Sequence, residues 1–435
     1  MKAILLAAGE GQRLQPLTST RPKHLITLTG KPILQFCLDA IKTAGITDIV
    51  IITHYMSDKI KTYFGDGTSQ GLKIAYVEQK ELLGTGNAAM AAELFVDDDP
   101  FVLVYGDLLF AQDTIKQVVD SYSKAKPAAV MAVVSVDKPE NYGIIDLAEG
   151  KKLKRIIEKP VAKETSSNLV NAGIYVFSKE IFKKLCDIKK SIRGELELTD
   201  ALTMLASEGK TVLIEELDRT AWFDVGKPWD LLDANIWALN HMEPQVLGTI
   251  EPKAHIFGPV YVAKSARVRS GAYIEGPVFI DEEADVGPNC YIRSGTSLGK
   301  KTRIGNAVEI KNSLIMDKAR IGHLSYVGDS VIGEKCNFGA GTITANLRFD
   351  DDTIKMIVKN RLMDTGKRKL GVVLGDNVKT GIKASFMPGV KVGTNTWIGA
   401  NFMVTHDLPS NSIALLKQQE NIQPRKNNLD LNDVH

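Results

Sequence analysis

No run of this chain is apolar for long enough to span a bilayer, so nothing in it predicts a membrane helix. Charge of one sign is not in excess either. The 54 Lys and Arg nearly balance the 52 Asp and Glu, and a net charge of +2 gives no reason to expect nucleic acid or an anionic membrane as a partner. Cysteine is scarce. Cys37, Cys186, Cys290 and Cys336 form no C-x-x-C pair and each lies in an apolar pattern, so buried free thiols in a reducing cytoplasm are expected. The opening run from Ala3 to Ala8 is short and Gly9-Glu10-Gly11-Gln12-Arg13 follows at once; it reads as a buried strand rather than a signal peptide.

What the chain does have is length and a composition that is 44% hydrophobic and 24% charged, which points to a globular protein of two or more domains in 435 residues. In the first half, short apolar runs at 4–8, 49–52, 74–77, 101–104, 130–136 and 174–177 alternate with helical spacing at 33–44 and 87–95. Such alternation predicts an α/β domain with a mostly parallel sheet. Trp229, Leu232, Ile236 and Leu239 fall at helix spacing and close this domain before Pro244 and Pro252.

The second half changes period. From Ile256 an aliphatic residue recurs every sixth position through Val262, Val268, Ile274, Ile280, Val286, Ile292, Leu298 and Ile304 to Ile310. With such residues at about a quarter of ordinary sequence, chance gives that run on the order of once in a million trials. Small or modest residues, Ala266, Ala272, Ala284, Cys290 and Thr302, stand four positions after many of them. The phase slips by one to Ile315, Ile321 and Val327, and again to Ile332 and Phe338. An irregular stretch, about 347–370, intervenes before Leu374, Phe386, Val392, Ile398 and Val404, with Thr380 out of pattern. A period of six with an inward aliphatic and a tight corner predicts a parallel β-helix, whereas a sandwich would alternate at period two. The expected divisions are 1–228, a connecting helix and linker at 229–250, the β-helix at 251–405, and a polar, mobile tail at 406–435.

The loop Ala8-Gly9-Glu10-Gly11-Gln12-Arg13 directly follows a buried strand. Glycines let backbone N–H groups approach phosphate, and an arginine at the loop's end meets its charge. No Walker lysine-threonine is present, which disfavours a P-loop ATPase. Pro16-Leu17-Thr18 and Arg21-Pro22-Lys23 follow. Further on come Gln79, Gly84-Thr85-Gly86, Tyr105-Gly106-Asp107, Tyr142-Gly143, Ile157-Glu158-Lys159-Pro160, Asn171-Ala172-Gly173 and Trp222-Phe223-Asp224-Val225-Gly226. In that order the set resembles the sugar-1-phosphate nucleotidylyltransferases, and it spans the domain. The resemblance implies a Rossmann-like fold in which a sugar phosphate attacks the α-phosphate of an NTP. Arg13 and Lys23 stabilise the triphosphate, Asp107 and Asp224 hold Mg²⁺, Gln79, Gly84 and Thr85 read a pyrimidine base, and Gly143, Glu158 and Asn171 hold the sugar.

In the second half, Ile321-Gly322-His323-Leu324-Ser325-Tyr326 leads into Asn337-Phe338-Gly339-Ala340-Gly341 and Thr344-Ala345-Asn346. This resembles the glucosamine-1-phosphate acetyltransferase half of the bifunctional enzymes that complete UDP-N-acetylglucosamine, in their archaeal form. The resemblance implies a left-handed β-helix, assembly as a homotrimer in the cytoplasm, and acetyl-CoA as co-substrate. His323 becomes the base, since acetyl transfer needs an unprotonated amine. Arg293 and Lys311 bind the sugar's phosphate, Tyr326, Asn337 and Asn346 position the sugar, and Ala340 and Ala400 lie along acetyl-CoA. Leu347 stands where the family often has tyrosine, Ile382 where a serine is expected, and Asp224 where the bacterial enzymes commonly use asparagine. The insert around 355–369 is also longer than usual. UTP is the expected nucleotide, with dTTP as an alternative. Two other readings stand beside this one. The first is a monofunctional glucose-, mannose- or N-acetylglucosamine-1-phosphate nucleotidylyltransferase whose β-helix serves assembly or regulation. The second is a non-catalytic regulatory subunit, which the presence of Arg13, Lys23, Asp107 and Asp224 disfavours.

Overall fold

A computed structural model describes residues 1–96, 100–158, 167–417 and 422, apart from the side chains of Asn141 and Glu158. The first domain is built on a nine-stranded sheet. Its spatial order is Lys73–Glu78, Asp48–Thr53, Ala3–Ala7, Phe101–Tyr105, Leu169–Phe177, Ala129–Ser135, Val212–Leu217, Lys152–Glu158 and Gly143–Ala148. All six predicted apolar runs are strands. The first four in spatial order are parallel, but Leu169–Phe177 runs antiparallel to both its neighbours and the last two strands form an antiparallel edge. The sheet is therefore mixed rather than mostly parallel. The edge strands escaped notice because Lys152-Leu153-Lys154-Arg155 carries too few apolar residues to stand out.

The helix Ile33–Thr43 buries Ile33, Leu34, Cys37, Leu38 and Ile41 along one face. It ends where Gly45 turns left-handed at φ 80°, with Ile46 N–H donating to Ile41 O and Gly45 N–H to Lys42 O, the paired bonds that close a helix C-terminus. The helical spacing at 87–95 resolves into a helix over Thr85–Met90 and a separate short turn at Glu93–Phe95. Three cysteines are buried as expected, and burial pushes the Cys336 thiol up to about 12. Cys186 is exposed instead. In the helix Ile181–Asp187, the inward positions are Ile181, Phe182 and Leu185, and the residue after Leu185 faces out.

The second domain visits three parallel sheets in turn, the connectivity of a parallel β-helix. Ile250, Val268, Val286, Ile304, Ile321 and Phe338 stack in register, one per turn of three six-residue units. The phase slips are turns one residue shorter, such as Ile304 to Ile321 and Ile315 to Ile332. The small residues are buried as predicted, but they do not carry the strained backbone. That falls one residue earlier, on Lys253, Glu283, Lys301, Lys318 and Lys335, each left-handed. A long side chain there reaches water, and Ala254, Ala284, Thr302, Ala319 and Cys336 then turn inward. Thr380 breaks the aliphatic pattern without cost, because its hydroxyl accepts from Gly339 N–H at 3.0 Å and pairs with Thr342 Oγ1 at 2.8 Å.

The coils outrun both expected boundaries. The first coil strand, Gln245–Val246, lies within the segment expected as linker, and the last, Ile413–Ala414, lies within the segment expected as tail. Most of the remaining tail lies outside the described residues. The stretch 347–370 contains a hairpin, Lys355–Val358 with Arg361–Asp364, between coils that pair directly from Ile332 to Leu374.

The two domains share an apolar cluster through the helix Asp230–Asn240. Leu14, Leu17, Ile26, Val225, Trp229 and Leu231 join Leu314, Met316, Val331, Ile354, Met356 and Val373 in it. Polar groups pin its borders. Asn235, fully buried, donates to Gly295 O at 2.9 Å and accepts from Ser297 Oγ at 2.6 Å. Arg21 pairs with Asp376 and, at 2.7 Å, with Glu334. Removing one partner of a buried ion pair strands the other's charge, so Arg21→Ala is expected to destabilise the protein by about 3–5 kcal/mol. Thermal denaturation checks this. Arg21→Ala combined with Asp376→Ala should lose less than the two single losses summed.

Candidate functional site

The first cleft opens at the C-terminal end of Ala3–Ala7, near the middle of the sheet, where open α/β sheets gather ligands. Its volume is about 520 Å³, and Ala8, Gly9, Arg13, Lys23, Gln79, Gly84, Thr85 and Asp107 line it. Gly11 turns the loop at φ 65°, and a Cβ there would stand 3.1 Å from Thr18 Cγ2 and 3.2 Å from Lys23 Cβ. The loop is thus folded back onto the segment that carries Lys23. Arg13 is exposed and makes no ion pair among the described residues; its guanidinium lies over Gly226, where a Cβ would be 3.4 Å from Nη2.

Asp107 follows the strand Phe101–Tyr105, and Asp224 ends the short strand Trp222–Asp224. The latter pairs with Leu108–Phe110 so that Asp224 sits opposite Leu108. This pairing sets two carboxylates beside each other. Lys23 is ion-paired to Asp107. Burial alone would raise the Asp107 carboxyl, but the charges of Lys23 and Arg13 and the hydrogen bond from Lys23 hold it below the usual range. Asp224 is raised, first by burial and then by the charge of Asp107. Asp230, behind it, is pushed up to about 7 by burial and by Asp224. His24 is driven down to about 3 by burial and by Lys23, so it is a neutral filler of the site.

Gln79 is buried, donating to Asn87 Oδ1 at 2.7 Å and to Gly84 O at 3.3 Å. Thr85 Oγ1 accepts from Leu198 N–H at 3.0 Å and ties the loop to the helix Leu198–Ser207. Gly84 has φ 104°, and a Cβ there would meet Leu196 O at 2.7 Å. A second hollow of about 230 Å³ continues the cleft past Asp107 and Asp224, lined by Gly143, Asn171 and Tyr142. Asn171 Oδ1 accepts from Gly173 N–H and from Tyr175 OH, which fixes its carboxamide. The Glu158 side chain lies outside the described residues. Three residues not foreseen in the sequence, Arg193, Glu195 and Glu197, line the hollow as well. Their signal was the charged run Arg193-Gly194-Glu195-Leu196-Glu197, which reads as a solvated loop until Glu197 is seen to be buried.

On the β-helix the centre of the second constellation is Asp329, which is buried. It accepts from Lys311 Nζ at 3.0 Å, from Asn312 Nδ2 at 2.7 Å and from Asn346 Nδ2; Asn346 also donates to the Tyr326 hydroxyl at 3.1 Å. Arg293 pairs with Glu309 at 2.9 Å and lies 5.6 Å from the Tyr291 ring centroid. Arg293, Lys311 and Tyr326 belong to adjacent coils of one sheet. His323 ends the neighbouring sheet's strand Arg320–His323, exposed, at the corner leading to Tyr326. Asn337 does not join them: it lies between Arg320 and Lys379 on the sheet that carries His323. Ala340 and Ala400 lie beside stacked glycines, since a Cβ on Gly339 would meet Gly381 O at 2.6 Å and one on Gly381 would meet Ala400 N at 2.5 Å. The coils stack there backbone on backbone, with no room for a side chain between them.

Gly84→Ala forces a left-handed residue and a backbone clash, a strain of about 1–3 kcal/mol. It should lower the protein's stability by a similar amount in thermal denaturation.

Residues 2–240 match the nucleotidyl transferase family, and residues 274–383 match the GMPPB C-terminal domain. The "Bifunctional protein GlmU" of Methanocaldococcus jannaschii is 45% identical over 419 residues, covering 96% of this chain and 98% of that protein. A bifunctional sugar-1-phosphate nucleotidylyltransferase/acetyltransferase of Sulfurisphaera tokodaii is 42% identical over 94% of this chain and 98% of its own length. A Bacillus anthracis crystal structure assigned as a glucose-1-phosphate thymidylyltransferase superposes with a TM-score of 0.50 at 34% identity, over 55% of this chain and 95% of that one. At 45% and 42% identity over nearly the whole length of both chains, the protein belongs to the bifunctional sugar-1-phosphate nucleotidylyltransferase/acetyltransferase family.

Proposed function

We propose that the β-helix acetylates glucosamine 1-phosphate with acetyl-CoA. The N-terminal cleft then transfers uridylyl from UTP to N-acetylglucosamine 1-phosphate, releasing pyrophosphate, and dTTP is a second acceptable nucleotide. The observation that carries this is the coexistence of a cleft in which Arg13 and Lys23 face two adjacent carboxylates with an exposed histidine at the corner leading to Tyr326, a member of the Asp329 network.

In the cleft, a phosphate oxygen of the sugar attacks the α-phosphorus of the triphosphate, and the bond to the β-phosphate breaks. Arg13 and Lys23 offset the negative charge gathered there. The burial-raised Asp224 beside the ionised Asp107 is a donor pair suited to a small dication. Bound there, Mg²⁺ supplies charge neutralisation to the phosphates. Gln79, Gly84 and Thr85 hold the base, and Gly143, Glu158 and Asn171 the sugar.

On the β-helix, the amine nitrogen attacks the thioester carbonyl, the C–S bond breaks, and the amine's proton passes to the His323 imidazole. Lys311 and Arg293 bind the sugar's phosphate, Tyr326 and Asn346 orient the ring, and acetyl-CoA lies along the coils at Ala340 and Ala400. Asn337, on the other sheet, reaches the substrate from a second copy of the chain, so the working form is a homotrimer of left-handed helices. The exposed apolar residues Leu324, Ile343 and Met403 fit such an interface.

Incubation with acetyl-CoA and glucosamine 1-phosphate should release free thiol. His323→Ala should lower that rate by about 10²–10⁴-fold while leaving nucleotidyl transfer unchanged. Arg13→Ala should do the reverse, lowering nucleotidyl transfer by about 10²–10³-fold. Absence of thiol release from the unmodified protein would reduce the chain to a nucleotidylyltransferase.

A further inference from the structure

The hairpin inserted in the β-helix does not extend the coils. Strands Lys355–Val358 and Arg361–Asp364 pair from Lys355 opposite Asp364 to Val358 opposite Arg361, which leaves Lys359 and Asn360 as a two-residue turn. Both are left-handed, at φ 48° and 58°, the backbone of the tight hairpin turn that normally calls for Asn or Gly. Alternation along the first strand buries Met356 and Val358 and exposes Lys355 and Ile357. The two buried residues enter the interdomain cluster that contains Leu14, Val225 and Leu231 of the first domain. At the hairpin's base, Ile354 N–H donates to Lys367 O at 2.8 Å, Thr365 N–H to Ile354 O at 3.1 Å, and Lys367 pairs with Asp233 at 2.5 Å. The tip is therefore held against the first domain from base to turn.

That tip reaches the triphosphate cleft. Lys359 lines it together with Gly9, Arg13 and Lys23. It is exposed and has no hydrogen bond or ion pair among the described residues. Lys23, by contrast, is engaged with Asp107. An uncommitted ammonium, fixed by a short turn over a cleft that must hold a polyanion, has one chemical use.

We propose that Lys359 is a nucleotide-binding residue of the first domain's site, contributed by the β-helix, and that it contacts the phosphate chain of the triphosphate and of the departing pyrophosphate. This rests on the reading of the cleft as the triphosphate site. It also gives the long insert a role: the acetyltransferase half completes the site of the nucleotidylyltransferase half.

The test is calorimetric titration of the full chain with inorganic pyrophosphate and Mg²⁺, together with the KM for UTP where turnover is measured. Lys359→Ala should weaken pyrophosphate binding by about tenfold and raise the KM for UTP by a similar factor, with kcat and the KM for sugar phosphate nearly unchanged. Lys359→Arg should keep most of the affinity. Asn360→Gly, which suits the same left-handed turn, should match the unmodified protein and so shows that the loss follows the charge and not any change at the turn. Pyrophosphate affinity of Lys359→Ala within twofold of the unmodified protein would overturn the proposal, as would equal losses in Lys359→Ala and Asn360→Gly. Failure of the unmodified protein to bind pyrophosphate would overturn the triphosphate reading itself. Binding without UTP turnover would leave the Lys359 comparison decisive through pyrophosphate alone.

Discussion

The apolar cluster between the domains is the constraint on which the geometry of the first cleft depends. Three residues that bring charge to the cleft stand next in sequence to a residue buried in that cluster. Arg13 precedes Leu14, Asp224 precedes Val225, and Lys359 follows Val358. A long charged side chain has many rotamers and is costly to hold still. Anchoring its backbone by a buried neighbour removes much of that freedom before any ligand arrives. The same cluster is built from both halves of the chain, so the geometry of the first site is set partly by the packing of the second domain.

Electrostatics at the two sites follow opposite designs. In the cleft, Asp107 and Asp224 are close enough that the charge of one raises the other, and the opposing cations only partly offset this. Such an arrangement is unfavourable alone and is relieved by added positive charge. On the β-helix, one buried carboxylate, Asp329, is satisfied by Lys311, Asn312 and Asn346, and it holds those side chains in place. The first site is poised by unbalanced charge and the second by a completed network.

The repeating coils also explain how the hairpin is tolerated. Because each coil bonds only to its neighbours, the ladder can pass from Ile332 to Leu374 with the intervening residues looped out. The inserted chain does not disturb the stack, and it carries its own alternating face with which to find a second surface.

Periodicity made the architecture legible. The six-residue repeat gave the β-helix, and the apolar runs gave the central strands, because burial imposes a regular spacing on any chain that folds this way. Ordered motifs likewise identified Arg13, Lys23, Asp107 and Asp224, which the fold does bring together. The antiparallel edge of the sheet, the exposure of Cys186 and the buried role of Glu197 were not legible, since each depends on a partner distant in sequence. The separation of Asn337 from Tyr326 was hidden for the same reason: eleven positions along a coil carry a residue to a different face. Lys359 is the sharpest case. In the sequence it is one lysine in a polar insert, and only the packing of Met356 and Val358 onto the first domain brings it to the cleft. Local spacing fixed which elements form, because it records which side chains must leave water. Which charges meet was decided by tertiary packing, because Coulomb's law acts on distance in space rather than along the chain.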